Sequence, residues 1–438
     1  MASGREQFGS NMAAVMAMAG SAIGLGNIWR FPYMVGQGGG AAFVLVYLLC
    51  VVFLSVPILL CETIIGRRAQ AGTIGAMEKL APGTGWKWLG ILTVISPLII
   101  LSFYSVVGGW SIGFFFQSLS RGFCVGDTGN FAAFTSSLWM PLVCNTLFIF
   151  ATAGVVAAGV KSGIERFNRI SLPLLFIFIV TIMVYSLSLE GSSEGVRYLL
   201  KPDFSRMSPR VLADAMGQAF FSLSLGVGTI LTYSSYMKKE DNIVRSGMGT
   251  AMFDLAFAVL AGFAVIPAVF AAGIEPGAGP GLIFETLPFV FASMGEQLPF
   301  ISRLISIIFF LTVVIAALTS SISMFEVGVA YLVEERHLSR RRAVLYILLG
   351  TWALGSLCAV SPAVFDFCDI LTSNYLMTFG GLLFVLFVGW KMKRSDVWGE
   401  FTGEGGQRGN ARIFGFFYFF VRYAAPVVIL LIFLSNLL

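Results

Sequence analysis

Asn27 and Arg30 put a neutral amide and a permanent cation inside a long apolar run, within the stretch 20–32, Gly20-Ser-Ala-Ile-Gly-Leu-Gly-Asn-Ile-Trp-Arg-Phe-Pro32. Gly24 and Gly26 weaken helix on both sides of Leu25, and Pro32 removes a backbone donor. If the run crosses a bilayer, such backbone is tolerated only where protein buries it or a cavity lies beside it. A packing face of small residues would account for Gly20 and Gly24 alone; Asn27 and Arg30 beside them favour a binding site. A second interruption, Ser222-Leu-Ser224-Leu-Gly226-Val-Gly228-Thr229, breaks another apolar run. Helix ends exposed at such breaks offer amide donors to an anion and carbonyl oxygens to a cation. Glu62 is a further intramembrane carboxylate, functional by default, although pinning the loose backbone of a broken helix explains it better. Soluble nucleotide motifs do not fit: Trp29 stands where a dinucleotide fingerprint needs its third glycine, and no Lys-Ser/Thr follows for a phosphate loop. The lone histidine, His337, and the absence of Cys-x-x-Cys spacing leave little for a zinc site or a His-based catalytic pair.

The elements that must position these residues are membrane helices. Of 438 residues 57% are hydrophobic and 12% charged, with mean hydropathy +0.86; a soluble domain carries about twice that charged fraction. Apolar runs long enough to span fall at about 11–35, 41–66, 88–120, 137–159, 166–189, 209–236, 243–273, 303–333, 342–360, 366–390 and 413–436, on the ~20-residue criterion. These eleven segments predict an all-α integral membrane protein. Alternate loops carry about 20 lysines and arginines on one side and about 6 on the other, which places the N-terminus in the cytoplasm and the C-terminus outside. The net charge of +5 therefore needs no nucleic-acid partner. Clusters such as Arg67-Arg68, Lys238-Lys239 and Arg340-Arg341-Arg342 read as solvated anchors. No signal peptide is read at the N-terminus. The interrupted segments one and six sit five apart, an odd number of crossings. Paired breaks in halves of opposite orientation predict an inverted repeat with a substrate site between the halves.

The chain closely resembles the neurotransmitter:sodium symporters, in particular bacterial amino-acid members. The resemblance covers residues 5 to 392 and rests on Gly20-x-Ala22-x-Gly24-Leu-Gly26-Asn27-x-x-Arg30-Phe-Pro32, Gly38-Gly-Gly40-Ala, Glu62 with Gly66-Arg67, Phe220-Phe-Ser-Leu-Ser-Leu-Gly226 and Leu318-Thr-Ser-Ser-Ile322. It implies two inverted five-helix repeats, 1–190 and 191–392, with discontinuous first and sixth helices, followed by a cytoplasmic loop and helix eleven over 393–438. Many relatives have twelve helices. The resemblance implies an amino acid held between the two breaks. Its carboxylate would meet amides near Leu25 and Gly26, the Tyr104 hydroxyl and a sodium ion; its ammonium would meet carbonyls around Ala22 and Phe221 and the Ser224 hydroxyl. Ser21, Ile100, Ser222, Val227, Ser320 and Met324 complete the implied substrate set. A first sodium would take Ala22, Asn27, Ser222 and Asp254. A second would take carbonyls of Gly20, Ile23 and Ala316 and hydroxyls of Thr319 and Ser320, although hydroxyls bonded back to their own helix would explain Thr319-Ser320 alone. Neutral oxygens around one charge suit a hard monovalent cation.

By the same resemblance, Arg30 and Asp369 form a water-bridged outer gate above a lid of Tyr104 and Phe221. Arg5, Phe8, Tyr236 and Glu334 form an inner latch, with glutamate at 334 where the family has aspartate. Gly163 and Pro173 match a motif linked to unwinding near the second sodium, although Pro173 could be an ordinary kink. Ser21 stands where some members have asparagine. Val227 in place of phenylalanine frees space, and Met324 adapts its shape; none of the pocket walls is charged. The expected function is sodium-coupled symport of a hydrophobic, large or aromatic L-amino acid by alternating access, in the cell (inner) membrane. No enzymatic cluster of nucleophile, base and oxyanion donor is present. Neither a nucleic acid nor an obligate protein partner is expected; a small amine or osmolyte as cargo, or an amino-acid-gated channel or sensor, are the rival readings. Tyr47, Gln218 and Ser222 match positions that hold chloride in animal members, but Asp254 stands where many have asparagine and Ala258 lacks a hydroxyl. A fixed carboxylate there would replace chloride. A carboxylate left alone in a dry site once sodium departs would take a proton, so proton counter-transport is a further expectation.

Overall fold

The computed structural model describes residues 6–124, 130–274, 283–295, 298–403 and 408–435, and every regular element among them is a helix. Among these residues nine helices are long and apolar enough to cross a membrane: Ala41–Ala69, Lys87–Ser120, Trp139–Ala157, Val160–Ser188, Ile243–Ala271, Pro299–Glu334, Arg340–Val360, Pro362–Lys391 and Ala411–Leu434. A tenth is the pair Asn11–Ala22 and Gly26–Gln37, bent by 53° at the 23–25 break. The sixth apolar segment fails the same test for a physical reason. It is two short helices, Pro209–Ser222 and Thr229–Ser234, with Leu223 to Gly228 between them in non-helical backbone.

Caps mark several starts. The Ser10 hydroxyl accepts from the Ala13 amide, Ser208 from Val211, and Asn242 from Arg245. Large apolar side chains face outward along the spans, with Leu49 57%, Ile170 62% and Val427 58% exposed, as lipid requires and water would penalise. Two long helices, Lys87–Ser120 and Pro299–Glu334, pack along each other, and the second also packs on Asn11–Ala22. Glu62 carries out the structural role expected of it. Fully buried, it accepts the Gly226 amide at 2.8 Å, in the middle of the second break. Gly226 has φ +80°, and a Cβ there would fall 2.0 Å from the Met377 carbonyl oxygen, so backbone passes backbone at that point.

The region expected as loop after residue 392 contains the helix Arg394–Thr402. Asp396 and Glu400, four apart, share one face and pair with Arg68 (2.9 Å) and Arg67 (2.8 Å) at the end of the second segment. Arg67 and Arg68 are thus paired with acids of this helix and are not simply solvated anchors.

Candidate substrate and sodium site

The first break frees the backbone that the site is built from. Ile23 leaves helical geometry with ψ 104°, so the Leu25 amide donates to the Tyr104 hydroxyl at 3.2 Å and the Gly24 amide to Asn27 Oδ1 at 3.2 Å. A Cβ on Gly24 would lie 2.3 Å from Ser320 Oγ and 2.9 Å from the Tyr104 hydroxyl; only glycine admits both neighbours. Facing it, Ser224 adopts φ +51° and its hydroxyl donates to the Ser21 carbonyl at 3.1 Å, which ties the two breaks together. Between them is a narrow, partly enclosed cavity lined by Ala22, Gly24, Gly26, Ile100, Tyr104, Phe221, Ser224, Val227, Ser320, Met324 and Met377. Hydroxyls and backbone are its only polar features.

Asn27, Ser222 and Asp254 meet in one fully enclosed cluster. Asn27 Nδ2 donates to Asp254 Oδ1 at 2.7 Å and to Ser222 Oγ at 3.1 Å, and Ser222 donates to both Asp254 oxygens at 2.9 Å. The Tyr47 hydroxyl joins at 3.2 Å from Ser222. Gln218 Nε2 donates instead to the Gly26 carbonyl at 2.9 Å, while its Oε1 is buried without a partner.

The second cluster lies on the other side of the first break. Thr319 donates to the carbonyls of Ile23 (3.1 Å) and Ala316 (2.9 Å); Ser320 reaches those of Ser21 (3.0 Å) and Ile23 (3.4 Å). Thr319 thus bonds back to its own helix and across to the break at once. Gly20 packs on Asn168, whose Oδ1 is buried and unpartnered. Among the described residues no group of three or more His, Cys, Asp or Glu could hold a metal, so oxygens of amides, hydroxyls and one carboxylate define what can bind.

Arg30 and Asp369 line one outer cavity with Tyr104 and Phe221, and no direct ion pair joins them among the described residues. The Arg30 guanidinium lies 4.9 Å from the Phe221 ring. At the opposite end Phe8 is buried, edge-on to Tyr233 (5.9 Å) and Tyr236 (6.0 Å), and its amide donates to the Tyr236 carbonyl at 3.0 Å. Glu334 accepts the Gly72 amide at 2.7 Å. Arg5 lies outside the described residues.

Several placements went unread in the sequence. The Ser21 side chain turns from the cavity to Ser323 at 2.7 Å and contributes its carbonyl instead. Ser222 belongs to the carboxylate cluster, not to the cavity wall. Met377 is an additional wall; the Gly380-Gly381 pair behind it was the available signal, since a Cβ on Gly380 would fall 2.0 Å from the Gly226 carbonyl oxygen. Glu326 is an additional inner carboxylate. It accepts from the Tyr236 hydroxyl at 2.7 Å and pairs with Arg340 at 2.6 Å.

The model of the sodium:neurotransmitter symporter family matches residues 5–130 and 130–438. The sodium-dependent transporter YhdH of Bacillus subtilis (strain 168) is 38% identical over 98% of this chain and 97% of its own. The sodium-dependent serotonin transporter of Drosophila melanogaster is 26% identical over 99% of this chain and 76% of its own. The crystal structure of MhsT in complex with L-phenylalanine superposes with a TM-score of 0.88 at 39% identity, over 99% of this chain and 100% of that one.

Proposed function

The chain belongs to the sodium:neurotransmitter symporter family and is a multi-pass, sodium-dependent transporter, and on that premise we propose that it imports a hydrophobic, large or aromatic L-amino acid. The observation that carries this reading is the uncharged cavity between the two breaks, with Ile100, Val227, Met324 and Met377 around it and no carboxylate or cation in its wall. A charged side chain would be desolvated there without a partner; a large apolar one gains by burial. The phenylalanine bound to MhsT agrees with that chemistry.

The amino-acid carboxylate takes the Leu25 and Gly26 amides and the Tyr104 hydroxyl, at the amino end of the half-helix that begins at Gly26, where backbone dipoles favour an anion. The ammonium takes carbonyls at the end of Asn11–Ala22, that of Phe221, and Ser224. One sodium ion binds at Ala22, Asn27, Ser222 and Asp254 with the substrate carboxylate, and a second at Gly20, Ile23, Ala316, Thr319 and Ser320. Ser21 acts through its carbonyl. Arg30 and Asp369 close the outside above Tyr104 and Phe221; Arg5, Phe8, Tyr236 and Glu334 close the inside. Asp254 supplies the negative charge beside the first sodium, so transport needs no chloride, and it carries a proton outward when the empty carrier returns.

Counting the two short helices of segment six as one crossing gives eleven spans. They form repeats over 1–190 and 191–392 and a final helix within 393–438, with the N-terminus in the cytoplasm of a cell (inner) membrane and the C-terminus outside. The decisive experiment is a thermal-shift screen of the twenty amino acids with sodium and with choline, since a ligand raises stability by mass action. Phenylalanine, tryptophan, tyrosine or leucine should stabilise most, and only in sodium. A best response to glycine or to a small amine would overturn the substrate class. Stabilisation without concentrative uptake in vesicles would replace the carrier by a sensor or channel.

A further inference from the structure

Arg422 is a permanent cation on the membrane helix Ala411–Leu434, and it has no carboxylate partner among the described residues. Its setting is built around it. The helices 362–391 and 411–434 cross so closely there that a Cβ on Gly389 would lie 3.0 Å from the Arg422 Cα. The Trp390 indole donates to the Arg422 carbonyl at 2.9 Å, and the Tyr418 hydroxyl reaches the Gly389 carbonyl at 3.4 Å. The guanidinium then sits 4.7 Å from the Trp390 ring, 5.6 Å from Tyr423 and 6.0 Å from Tyr418. Among the described residues its only hydrogen bond is a long one, to the Tyr418 hydroxyl at 3.4 Å, and its Nε is buried with no acceptor.

A second guanidinium converges on the same ring: Arg394 lies 5.4 Å from Tyr418 and 6.0 Å from Phe414. It is exposed, as are Lys391 and Lys393 beside it. Among the described residues, the acids next to this corner in sequence, Asp396 and Glu400, are already held by Arg68 and Arg67. Four cations thus gather where the span Pro362–Lys391 ends against the middle of Ala411–Leu434, with Trp390 57% and Tyr423 49% exposed where lipid would lie. Exposed tryptophan and tyrosine are the side chains that settle at headgroup level, and basic pockets between membrane helices suit anionic headgroups. A guanidinium held on aromatic faces keeps its N–H edge free for two phosphate oxygens.

We propose that Arg422 and Arg394 bind the phosphate of an anionic phospholipid in the leaflet on the side of Arg67 and Arg68, which is cytoplasmic in the orientation proposed above. The lipid supplies the missing counter-charge and couples the last helix to the helix 394–402. This reading depends on the chain spanning a membrane and not on which amino acid it carries.

Native mass spectrometry of the full-length protein, released from detergent with dioleoyl phosphatidylglycerol or dioleoyl phosphatidylcholine, tests it. The wild type should retain phosphatidylglycerol preferentially. Arg394→Gln and Arg422→Gln should each lower that retention about five-fold, the scale expected for one basic group at an anionic surface. Arg303→Gln, a cation held by the Ser118 and Ser120 carbonyls at the far end of Lys87–Ser120, should leave retention unchanged. Arg394 makes no hydrogen bond that folding depends on among the described residues, so its variant keeps the test valid if Arg422→Gln fails to fold. Equal retention of the two lipids, or equal retention by wild type and Arg394→Gln, overturns the proposal. So does displacement of the lipid by millimolar inorganic phosphate, which would make the site one for a free anion.

Discussion

The two candidate sodium sites touch the same break in the first segment yet are made of different material. Asn27, Ser222 and Asp254 come from three separate helices and bring a formal charge, which three donors already converge on: Asn27 Nδ2 at 2.7 Å and Ser222 at 2.9 Å, with Tyr47 behind. Thr319 and Ser320 come from one helix, and their hydroxyls donate to carbonyls, those of Ser21, Ile23 and Ala316, with no carboxylate among their partners in the described residues. The first cluster is therefore sensitive to whatever changes charge: an anion, a proton, or a substrate carboxylate. The second can respond only to geometry, because dipoles on a rigid helix and a loosened strand are all it has. One site reports on electrostatics and the other on the shape of the break.

Removing the charge should give the largest effect. A unit charge about 4 Å from a cation is worth on the order of 4 kcal/mol at an effective dielectric of ~20. Asp254→Asn should therefore cut uptake into vesicles in gluconate by about a hundredfold or more, while the unmutated protein transports equally in gluconate and chloride. Adding Ala258→Ser to Asp254→Asn should make chloride necessary. An unmutated protein that stops without chloride would erase the distinction between the two sites. An acid vesicle interior should also stimulate uptake, and no response would remove the proton from the cycle.

Coupling between ligands should come next in size. If the substrate carboxylate completes only the first site, sodium should tighten substrate binding, and substrate tighten sodium, by one common factor of about 5 to 150. Equilibrium binding in sodium and in choline measures it; equal affinities would break the link between cavity and cluster. Thr319→Val removes one hydroxyl from the second cluster, so apparent sodium affinity should fall about tenfold, as for a lost hydrogen bond to a charged group. Chloride independence and the reciprocal factor should both survive. A variant that became chloride-dependent would show that the sites are not separable. The smallest effect is expected away from both clusters. Val227→Phe overfills the cavity for a large ligand at the low end of the cost of overpacking, about 1 kcal/mol. Competition by phenylalanine and tryptophan should then weaken several-fold more than competition by alanine or glycine, and equal losses would move Val227 out of the wall.

The breaks were legible because they are local. Gly24 beside Asn27, or Ser224 and Gly226 beside Gly228, contradict an apolar helix within a few residues, and no tertiary knowledge is needed to see it. Glu62 was legible as a pin for the same reason: a lone carboxylate in an apolar run must meet freed backbone, and Gly226 provides it. Met377 and Glu326 were not, because their roles depend on how distant helices are rotated. Met377 enters the wall only since Gly226 and Gly380 let two backbones meet. Glu326 pairs with Arg340 across a helix reversal that sequence spacing does not describe. Ser21 shows the finer limit: its position at the break was clear, but not that its hydroxyl would choose Ser323.

The tail before the first helix is fastened at more than one point. The Gly9 amide donates to Glu165 at 2.9 Å, Glu6 accepts the Val160 amide, and Phe8 is clasped by Tyr233 and Tyr236. Val160 and Glu165 bracket the wide turns through Gly163 at the start of the fifth segment. The tail is in effect a tether tied to a neighbouring hinge. If the half-helix Asn11–Ala22 swings during alternating access, either the fifth segment yields with it or the tether gives way. In the first case the carrier behaves as a linkage with one degree of freedom, and a single crosslink between residues 9 and 165 would leave its stroke intact; in the second, the same crosslink would jam it.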